Sequence, residues 1–462
     1  MSIHLSVREH DVLVRGEVSV PGERNVTTLG AQAFDAVEAL ILAPDGALGP
    51  VATPTRLGRR SALKLSQWVG LIRTPDGTTI EILPKTHERP GARQYDPQVS
   101  VQGSRALLMR MLVATDERFL TAPPADLDAA RMPLFEILLR SVLDGVKVAL
   151  RRGIPHTYVP VAEERASLRG RLNLPRQVRQ GPHRAHRLNV LYDEFLPDRP
   201  ETRLTRSTVE RVARMTRMPA TRRLARELLA GLEQVPPSQN IRQDFAAWRL
   251  ERGHAHFMAL EGLCRMVLYE LNPLVGGMTA RAQAVLFDMN RVYEAYVAHL
   301  LRTQYPMWQV QTQVTDRALG EVKGKRAFPL RPDLLITCPD GQIIVADTKW
   351  KRLNPDRAPT FEVTNADAYQ MLAYSHVFQN QGPGRRPLWL IYPHLPGLPA
   401  VAPPISLGEG RFLSLITVDL LAPVPVFPEA ESVNSAVPAA LTAPGTRGVP
   451  STTGPFSASI DF

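Results

Sequence analysis

The sequence predicts a multidomain α+β protein, and three observations support this fold class. At 462 residues the chain is too long for one ordinary hydrophobic core. Strand-like alternation dominates its beginning, helical periodicity runs from about residue 201 to 272, and apolar strand-like runs return after residue 330. The predicted divisions are a small N-terminal α+β domain (1–100), a middle domain that is mostly helical with a β-rich basic segment (101–275), a C-terminal α/β domain (276–421) and a proline-rich, disordered tail (422–462).

Two hairpins and one helix are predicted in the N-terminal domain. Residues 3–20 alternate apolar and polar side chains, which is typical of a hairpin. Residues 62–85 predict a second hairpin around the turn Pro75-Asp76-Gly77. Between them, residues 31–43 predict a short helix whose inward side chains are Phe34, Val37, Leu40 and Ile41.

The middle domain combines apolar helices with arginine-rich segments. Helices are predicted at about 104–114 and 131–151, and a strand-like, basic stretch covers 154–195. Eight arginines then crowd the helical stretch 203–226, where they either contact DNA phosphates or form a solvated face paired with Glu210 and Glu227. For a single cluster the solvated face is the favoured interpretation.

Charge and cysteine content restrict the function classes. A formal charge of +10 and a pI near 9.8 favour a polyanionic partner. The two cysteines, Cys264 and Cys338, support neither a zinc site nor a disulfide framework. No signal peptide or membrane-spanning run is evident, so a cytoplasmic protein without a membrane partner is predicted. The GxxxxGK[ST] motif is also absent, so the chain is not expected to hydrolyse a nucleotide itself.

The segments 331–336 and 343–349 carry the most informative chemistry. Both are strand-forming, and Pro339-Asp340-Gly341 between them predicts the turn of an antiparallel hairpin. Asp347 and Lys349 then project from one face, and Asp333 on the partner segment can lie beside them. Two carboxylates and a lysine can hold a hard divalent ion and orient a water. This is the minimum equipment for metal-dependent phosphodiester cleavage.

Helices are predicted on both sides of this hairpin. In residues 365–374, Gln370 and Tyr374 are four apart and lie on one face, while the predicted inner face carries Tyr369, Leu372 and Ala373. Residues 286–297 predict an amphipathic helix that carries Glu294. Glu294 is either an acidic residue of the site or an exposed partner for Arg291, and both interpretations stay open.

The order of helix, hairpin and helix resembles the PD-(D/E)XK nuclease superfamily, and Gln370-x-x-x-Tyr374 resembles the corresponding helix of its RecB-like members. A closer resemblance is to the McrC family, the nuclease subunit of McrBC-type, 5-methylcytosine-specific restriction systems. It spans about residues 10–420 and is densest over 285–378, in the phrases FDMNRVYEAYVAHLL, RPDLLI, ADTKWK and DAYQMLAYS. One departure is Glu201-Thr202-Arg203, where an asparagine is expected before the basic residue.

The resemblance implies a complete site. Mg²⁺ would be bound by Asp333, Asp347, the Thr348 carbonyl and Glu294, the last directly or through water. Lys349 would position the attacking water, Gln370 would orient that water or a phosphate, and Tyr374 would brace the helix beside the substrate strand. The basic residues Lys323, Lys325 and Arg326, which precede the hairpin, are the further candidates for DNA contact.

The resemblance also implies partners. They are double-stranded DNA and McrB, a GTP-hydrolysing AAA+ ring in which the N-terminal region of McrC docks and which it stimulates. The expected function is therefore a Mg²⁺-dependent DNA endonuclease subunit of an antiphage, modification-dependent restriction complex.

Two other functions remain open at this point. A stand-alone RecB-like repair or processing nuclease shares the hairpin, but the long N-terminal region argues against it. A non-enzymatic adaptor that only grips DNA and a motor is disfavoured by the intact Asp333, Asp347 and Lys349. DNA cleavage by the isolated chain without nucleotide would favour the stand-alone nuclease.

Overall fold

The protein is described by a computed structural model, which is mixed α/β, over residues 3–16, 25–42, 51–85, 97–115, 132–249, 252–270, 282–315, 317–379, 386–422 and 427. Almost all of the predicted disordered tail lies outside these residues. The N-terminal elements are β1 (His4–Arg8), β2 (Val12–Arg15), β3 (Val26–Leu29), α1 (Ala31–Ile41), β4 (Ala52–Leu57), β5 (Arg60–Leu65), β6 (Trp68–Arg73) and β7 (Thr79–Leu83).

The predicted hairpin over residues 3–20 is wrong. β1 pairs in parallel with β7, whereas β2 pairs with β3 and β5 in a separate sheet of order β3-β2-β5-β4. The turn between them explains this, because His10 has a φ of 68° and the Arg8 N–H donates to the Asp11 carboxylate, which redirects the chain. Alternation alone did not distinguish a β1–β2 hairpin from two separate sheets. Val7 and Leu13 are buried in the structure, and the same pattern would bury them in a hairpin.

The hairpin of β6 and β7 is confirmed, with the Thr74 N–H donating to Thr78 across the turn. The helix prediction is also confirmed, because Phe34 and Val37 of α1 are fully buried and Leu40 and Ile41 pack against the same core.

The middle of the chain consists of helices and a partly exposed three-stranded sheet of order β8-β10-β9. Two arginines of α5 form ion pairs within the protein: Arg203 pairs with Asp198 and Asp244, and Arg206 pairs with Glu210. These contacts agree with the interpretation of a paired, solvated face. The elements are α2 (Pro97–Thr115), α3 (Leu134–Arg151), β8 (Thr157–Arg165), β9 (Arg171–Leu172), α4 (Leu174–Val178), β10 (Leu188–Leu196), α5 (Pro200–Met215), α6 (Pro219–Gly231), α7 (Ile241–Ala247) and α8 (Met258–Arg265).

The chain returns to the N-terminal sheet before it builds the C-terminal one. Residues Gln283–Asp288 form strand β11, which pairs with β6 and completes the order β1-β7-β6-β11. The helix predicted from Leu286 therefore begins later, at Met289, and the boundary placed at residue 276 assigns β11 to a different domain from its neighbours. Gly70 permits the tight pairing, since a Cβ at its φ of 131° would meet the Val285 carbonyl oxygen at 2.1 Å.

The C-terminal sheet has six strands in the order β12-β15-β16-β17-β19-β18. β17 and β19 are buried on both faces, as expected for central parallel strands, and each is almost continuously apolar. Its elements are α9 (Met289–Gln304), β12 (Gln309–Thr312), β13 (Ala318–Val322), β14 (Lys325–Pro329), β15 (Leu334–Thr337), β16 (Ile343–Thr348), α10 (Asn365–Phe378), β17 (Arg386–Pro393), β18 (Ile405–Gly408) and β19 (Arg411–Val418).

Helices α9 and α10 cover opposite faces of this sheet. On β16, Ile344 and Ala346 join the core that contains α9, whereas Val345 joins the core that contains Met371 and Phe378 of α10. Alternation along the strand therefore points Asp347 toward the α10 side. Among the described residues, no helix is both long and apolar enough to cross a membrane.

Candidate active site

The predicted hairpin of β15 and β16 is confirmed. Leu334 pairs with Ala346 and Thr337 with Ile343, and Gly341 closes the turn with a φ of 82°. Asp333 immediately precedes Leu334, so this register places it across from Asp347. The hairpin thus brings together at one end of the sheet the two carboxylates that the sequence pairs.

Asp333 is oriented by the residue after Asp347. Its Oδ2 accepts hydrogen bonds from both the backbone N–H and the hydroxyl of Thr348, each at 2.7 Å. One oxygen of Asp333 is thereby held against the strand, and the carboxylate is fixed in direction. Thr348 contacts the site through its N–H and hydroxyl, in addition to the carbonyl that the sequence analysis assigned to the metal.

Asp347 and Lys349 form the charged centre of the site. Asp347 is 2% exposed, and Lys349 Nζ lies 2.7 Å from its Oδ2 in an ion pair. Burial, reinforced by the nearby Asp333 carboxylate, raises the pKa of Asp347 to about 6 although Lys349 opposes the shift. Burial alone would lower the pKa of Lys349, but the surrounding carboxylates outweigh it and raise that pKa. The lysine is therefore held in its charged form.

Helix α10 supports this lysine through its side chains. Gln370 Oε1 accepts a hydrogen bond from Lys349 Nζ at 3.0 Å, and Gln370 Nε2 donates to the Tyr374 hydroxyl at 2.8 Å. Tyr374 in turn donates to the Arg331 carbonyl at 3.0 Å, next to the hairpin. The predicted pairing of Gln370 and Tyr374 on one face is confirmed, and the pair connects the lysine to the chain before Asp333.

The predicted inner face of α10 is wrong. Tyr369 is 70% exposed and Leu372 is 37% exposed, whereas Met371, Tyr374 and Phe378 are buried. The helix is rolled so that its mixed polar and apolar face meets the sheet. The contacts of Gln370 with Lys349 and of Tyr374 with Arg331 stabilise that rotation, which an apolar pattern alone does not reveal.

Sequence reasoning missed Asp367. It is buried in the first turn of α10, accepts from the Thr364 hydroxyl at 2.7 Å, and lies 3.4 Å from Lys349 Nζ. Burial would raise the pKa of Asp367, but Thr364, Lys349 and Lys351 together lower it. The available signal was its spacing, because Asp367 lies three residues before Gln370 and therefore on the same helical face.

Glu294 is buried near Asp333 and is not an exposed partner of Arg291. Its Oε2 accepts a hydrogen bond from Gln313 Nε2 at 2.9 Å. Burial, followed by repulsion from Asp333, raises its pKa to about 7. Gln313, a second residue that sequence reasoning missed, also donates its backbone N–H to the Asp333 carbonyl at 3.0 Å.

The donor set suits a Mg²⁺ ion that keeps several waters better than a metal ion enclosed entirely by protein ligands. Within the described residues, no three His, Cys, Asp or Glu side chains converge into a complete metal cluster. Mg²⁺ typically takes one or two carboxylates and keeps several waters, so Asp333 and Asp347 suffice. In the described part of the chain, the buried Oδ2 of Asp347 has Lys349 Nζ at 2.7 Å as its polar contact, so the carboxylate keeps lone pairs that can bind a cation beside the lysine.

The basic segment Lys323-Gly324-Lys325-Arg326 forms the turn and first residues of the hairpin of β13 and β14. Its three basic side chains are exposed, and Arg326 donates to the Thr315 carbonyl at 3.4 Å. Among the described contacts none of the three reaches the carboxylates around Lys349. DNA contact by this segment therefore stays a prediction.

Comparison with known proteins places the chain in a family. A family model described as McrBC 5-methylcytosine restriction system component matches residues 63–393, more than two thirds of the chain. No curated protein sequence matches. A chain from the refined half-complex of Thermococcus gammatolerans McrB AAA+ hexamers with bound McrC has a similar fold, with a TM-score of 0.64 at 17% identity over 91% of this chain and 96% of that one. A chain from the cryo-EM structure of the Thermococcus gammatolerans McrBC complex aligns at 19% identity over 64% of this chain and 87% of that one, with a TM-score of 0.44. The protein therefore belongs to the family of McrBC 5-methylcytosine restriction system components.

Proposed function

We propose that the protein is a Mg²⁺-dependent DNA endonuclease of the PD-(D/E)XK type, acting as the nuclease subunit of a McrBC-like, modification-dependent restriction complex. The observation that carries the proposal is the arrangement at the hairpin end. Asp333 and Asp347 lie side by side, the Asp347 carboxylate is buried, and Lys349 is held in its charged form with its Nζ 2.7 Å from Asp347.

Each side chain has a role that its contacts support. Asp333 and Asp347 would hold Mg²⁺ with the Thr348 carbonyl, and Glu294 would join directly or through water. When bound, Mg²⁺ polarises the scissile phosphate and lowers the pKa of a coordinated water. Lys349 would position the attacking water and offset the charge that develops on the phosphate. Gln370 limits the motion of Lys349, and Tyr374 anchors Gln370 to the hairpin.

The chain is also proposed to act with, and to stimulate, a GTP-hydrolysing AAA+ partner. The sequence contains no phosphate-binding GxxxxGK[ST] loop, so energy from nucleotide hydrolysis must come from another protein. Membership of the McrBC family and the fold likeness to a McrB–McrC assembly support a McrB-like ring in that role.

Plasmid cleavage tests this function directly. The full chain is incubated with modified plasmid DNA and Mg²⁺, alone and with a cognate AAA+ partner plus GTP. Cleavage is expected only in the complete mixture, and chelation of Mg²⁺ with EDTA should abolish it. EDTA also removes the Mg²⁺ that GTP hydrolysis needs. The metal dependence of cleavage is therefore measured by varying Mg²⁺ only over the range in which the rate of GTP hydrolysis stays constant.

The other outcomes are informative. Cleavage by the chain alone without nucleotide would indicate the stand-alone RecB-like nuclease. Stimulated GTP hydrolysis without any cleavage, on several modified substrates, would contradict the catalytic assignment and leave the family assignment intact.

A further inference from the structure

A polar groove of about 460 Å³ runs along α9, next to the candidate active site. Its walls come from the end of α2, one side of α9, the end of β12 and Arg331 before the hairpin. Its lining includes the small side chains of Ala114, Ala295 and Ala298. Glu294 is the one acidic residue in the lining. The groove therefore has direct access to a carboxylate of the site.

Basic side chains surround this groove. Arg291, Arg302 and Arg331 line it together with His299. Arg302 donates to the Val310 carbonyl, at 2.8 Å from Nη2. Arg291 and Arg331 are exposed, and the charge of Arg331 opposes the rise that burial causes in the pKa of Glu294. Exposed guanidinium groups beside the Glu294 carboxylate suit a polyanion, because they provide bidentate donors for phosphate oxygens.

The length of the groove matches a nucleic-acid strand. Arg291 and Arg302 are eleven residues apart on one helix, which corresponds to ~16 Å at the helical rise. One strand of DNA carries a phosphate every ~3.4 Å of duplex axis, so several phosphates fit along this distance.

We propose that this groove binds the phosphodiester backbone of the DNA strand that enters the active site, with Arg291 and Arg331 contacting its phosphates. This inference rests on the proposed nuclease function and refines where the substrate lies. It also places the main DNA contact along α9 rather than at the turn at Lys323.

Salt-dependent DNA binding tests the groove without cleavage. The full chain, in EDTA, is titrated against labelled duplex DNA at a series of salt concentrations. Arg291→Gln and Arg331→Gln are each expected to weaken binding about tenfold at low salt. Each should also reduce the slope of log affinity against log salt by about one. Arg223→Gln, an exposed arginine of α6, is the matched control and should change neither value.

Three results would overturn this assignment. Unchanged slopes in both groove variants would contradict it, and a large loss in Lys323→Gln alone would place the DNA on the β13–β14 turn. If Arg291→Gln and Arg331→Gln lose binding of inorganic phosphate but bind DNA as the wild type does, the groove is a site for a free anion. Since binding is measured without cleavage, an inactive wild-type protein with altered slopes in the variants would reject the nuclease function and keep the groove.

A separate observation connects the N-terminal sheet with the active site. Glu9 follows β1 and is 2% exposed, yet both of its oxygens accept from Trp350 Nε1, at 2.8 and 3.0 Å. Lys85, which follows β7, donates its backbone N–H to Glu9 at 3.0 Å, and Arg352 donates to the Lys85 carbonyl. Since β1 and β7 are parallel neighbours, these ends meet at one edge and clamp the segment after β16.

Trp350 lies between two parts of the site. It directly follows Lys349 in the chain, and its ring lies 5.2 Å, centroid to centroid, from that of Tyr293, the residue before Glu294. We infer that Glu9 is a positioning residue, which orients Lys349 and Glu294 through Trp350. This second inference also rests on the proposed nuclease function.

Trp350→Phe tests the link, because it keeps an aromatic side chain but removes the pyrrole part of the indole with its N–H donor. In the complete restriction complex it is expected to lower kcat for cleavage about tenfold. The KM for DNA and the stimulation of GTP hydrolysis should stay at wild-type values, at temperatures where circular dichroism shows a folded protein. Trp248→Phe is the matched control, since Trp248 is also buried but its indole nitrogen has no partner within the described residues.

A merely structural role predicts a different result. Cleavage and GTPase stimulation would then fall together, in proportion to the folded fraction, and lowering the temperature would restore both. That outcome, or an unchanged kcat, would reject the positioning role. If the wild-type complex itself did not cleave DNA, the result would reject the proposed nuclease function instead.

Discussion

Replacing Lys349 with alanine is expected to lower DNA cleavage by about 10²–10³-fold or more, the loss typical of removing one charged group that stabilises a transition state. The structure explains the size of this effect. Lys349 Nζ lies 2.7 Å from Asp347 and 3.4 Å from Asp367, so its removal deletes the charge that offsets these carboxylates and the group that positions water. Asp333→Ala and Asp347→Ala are expected to abolish cleavage as well, because each removes a carboxylate from the proposed Mg²⁺ site.

The measurement is the plasmid cleavage rate of the complete complex, with GTP hydrolysis recorded in parallel. GTPase stimulation should be retained, because among the described contacts Asp333, Asp347 and Lys349 make none with the N-terminal region proposed to dock. Lys351→Ala is the matched control: Lys351 also contacts Asp367, at 3.5 Å, but its side chain is 57% exposed. Cleavage at the wild-type rate by Lys349→Ala would contradict the catalytic assignment, whereas equal losses in both lysine variants would indicate a general effect of charge.

Replacing Glu81 with glutamine is expected to destabilise the N-terminal sheet by about 3 kcal/mol at neutral pH. Glu81 is fully buried, and Arg105 donates to it twice, at 2.6 and 2.7 Å. Its oxygens also accept from Ser6, His4 and the Leu134 N–H at the start of α3. One carboxylate thus joins β1, β7, α2 and α3, and its neutralisation leaves the Arg105 charge without its partner.

The pH dependence follows from the pKa of Glu81. Burial would raise this pKa, but the hydrogen bonds from His4 and Arg105 and the charge of Arg105 lower it from 4.5 to about 2. A depressed carboxylate pKa stabilises the fold above its unfolded value, and that contribution disappears as the pH falls through the folded value. The difference between wild type and Glu81→Gln should therefore be complete above about pH 4.5 and shrink toward pH 2.

Hydrogen exchange of the β1 and β7 amides measures this difference locally, which suits a chain with several domains. The control is Asp35→Asn. Asp35 accepts from Arg15 with the same two-point geometry, at 2.8 and 3.0 Å, but both side chains are about half exposed. Little change is expected there, because water screens an exposed ion pair. A large effect of Asp35→Asn, or a pH-independent effect of Glu81→Gln, would contradict burial as the cause.

The sequence by itself determined the features that depend on local spacing. The hairpin of β15 and β16 follows from two strand-forming runs around a Pro-Asp-Gly turn. The strand period of two places Asp347 and Lys349 on one face, and the helical period places Gln370 and Tyr374 on one face. These periods hold whatever surrounds the segment, so this part of the candidate site was predictable residue by residue.

The tertiary structure decided what depends on contacts between distant segments. It assigned β1 and β2 to different sheets, paired β11 with β6, and rolled α10 so that Asp367 faces Lys349. It also brought Glu9 to Trp350 across 341 positions of the chain. An apolar strand is equally satisfied in any sheet that buries it, and a buried carboxylate is stable only where donors from other segments meet it. Those partners are chosen by the packing of the whole chain, which no local pattern specifies.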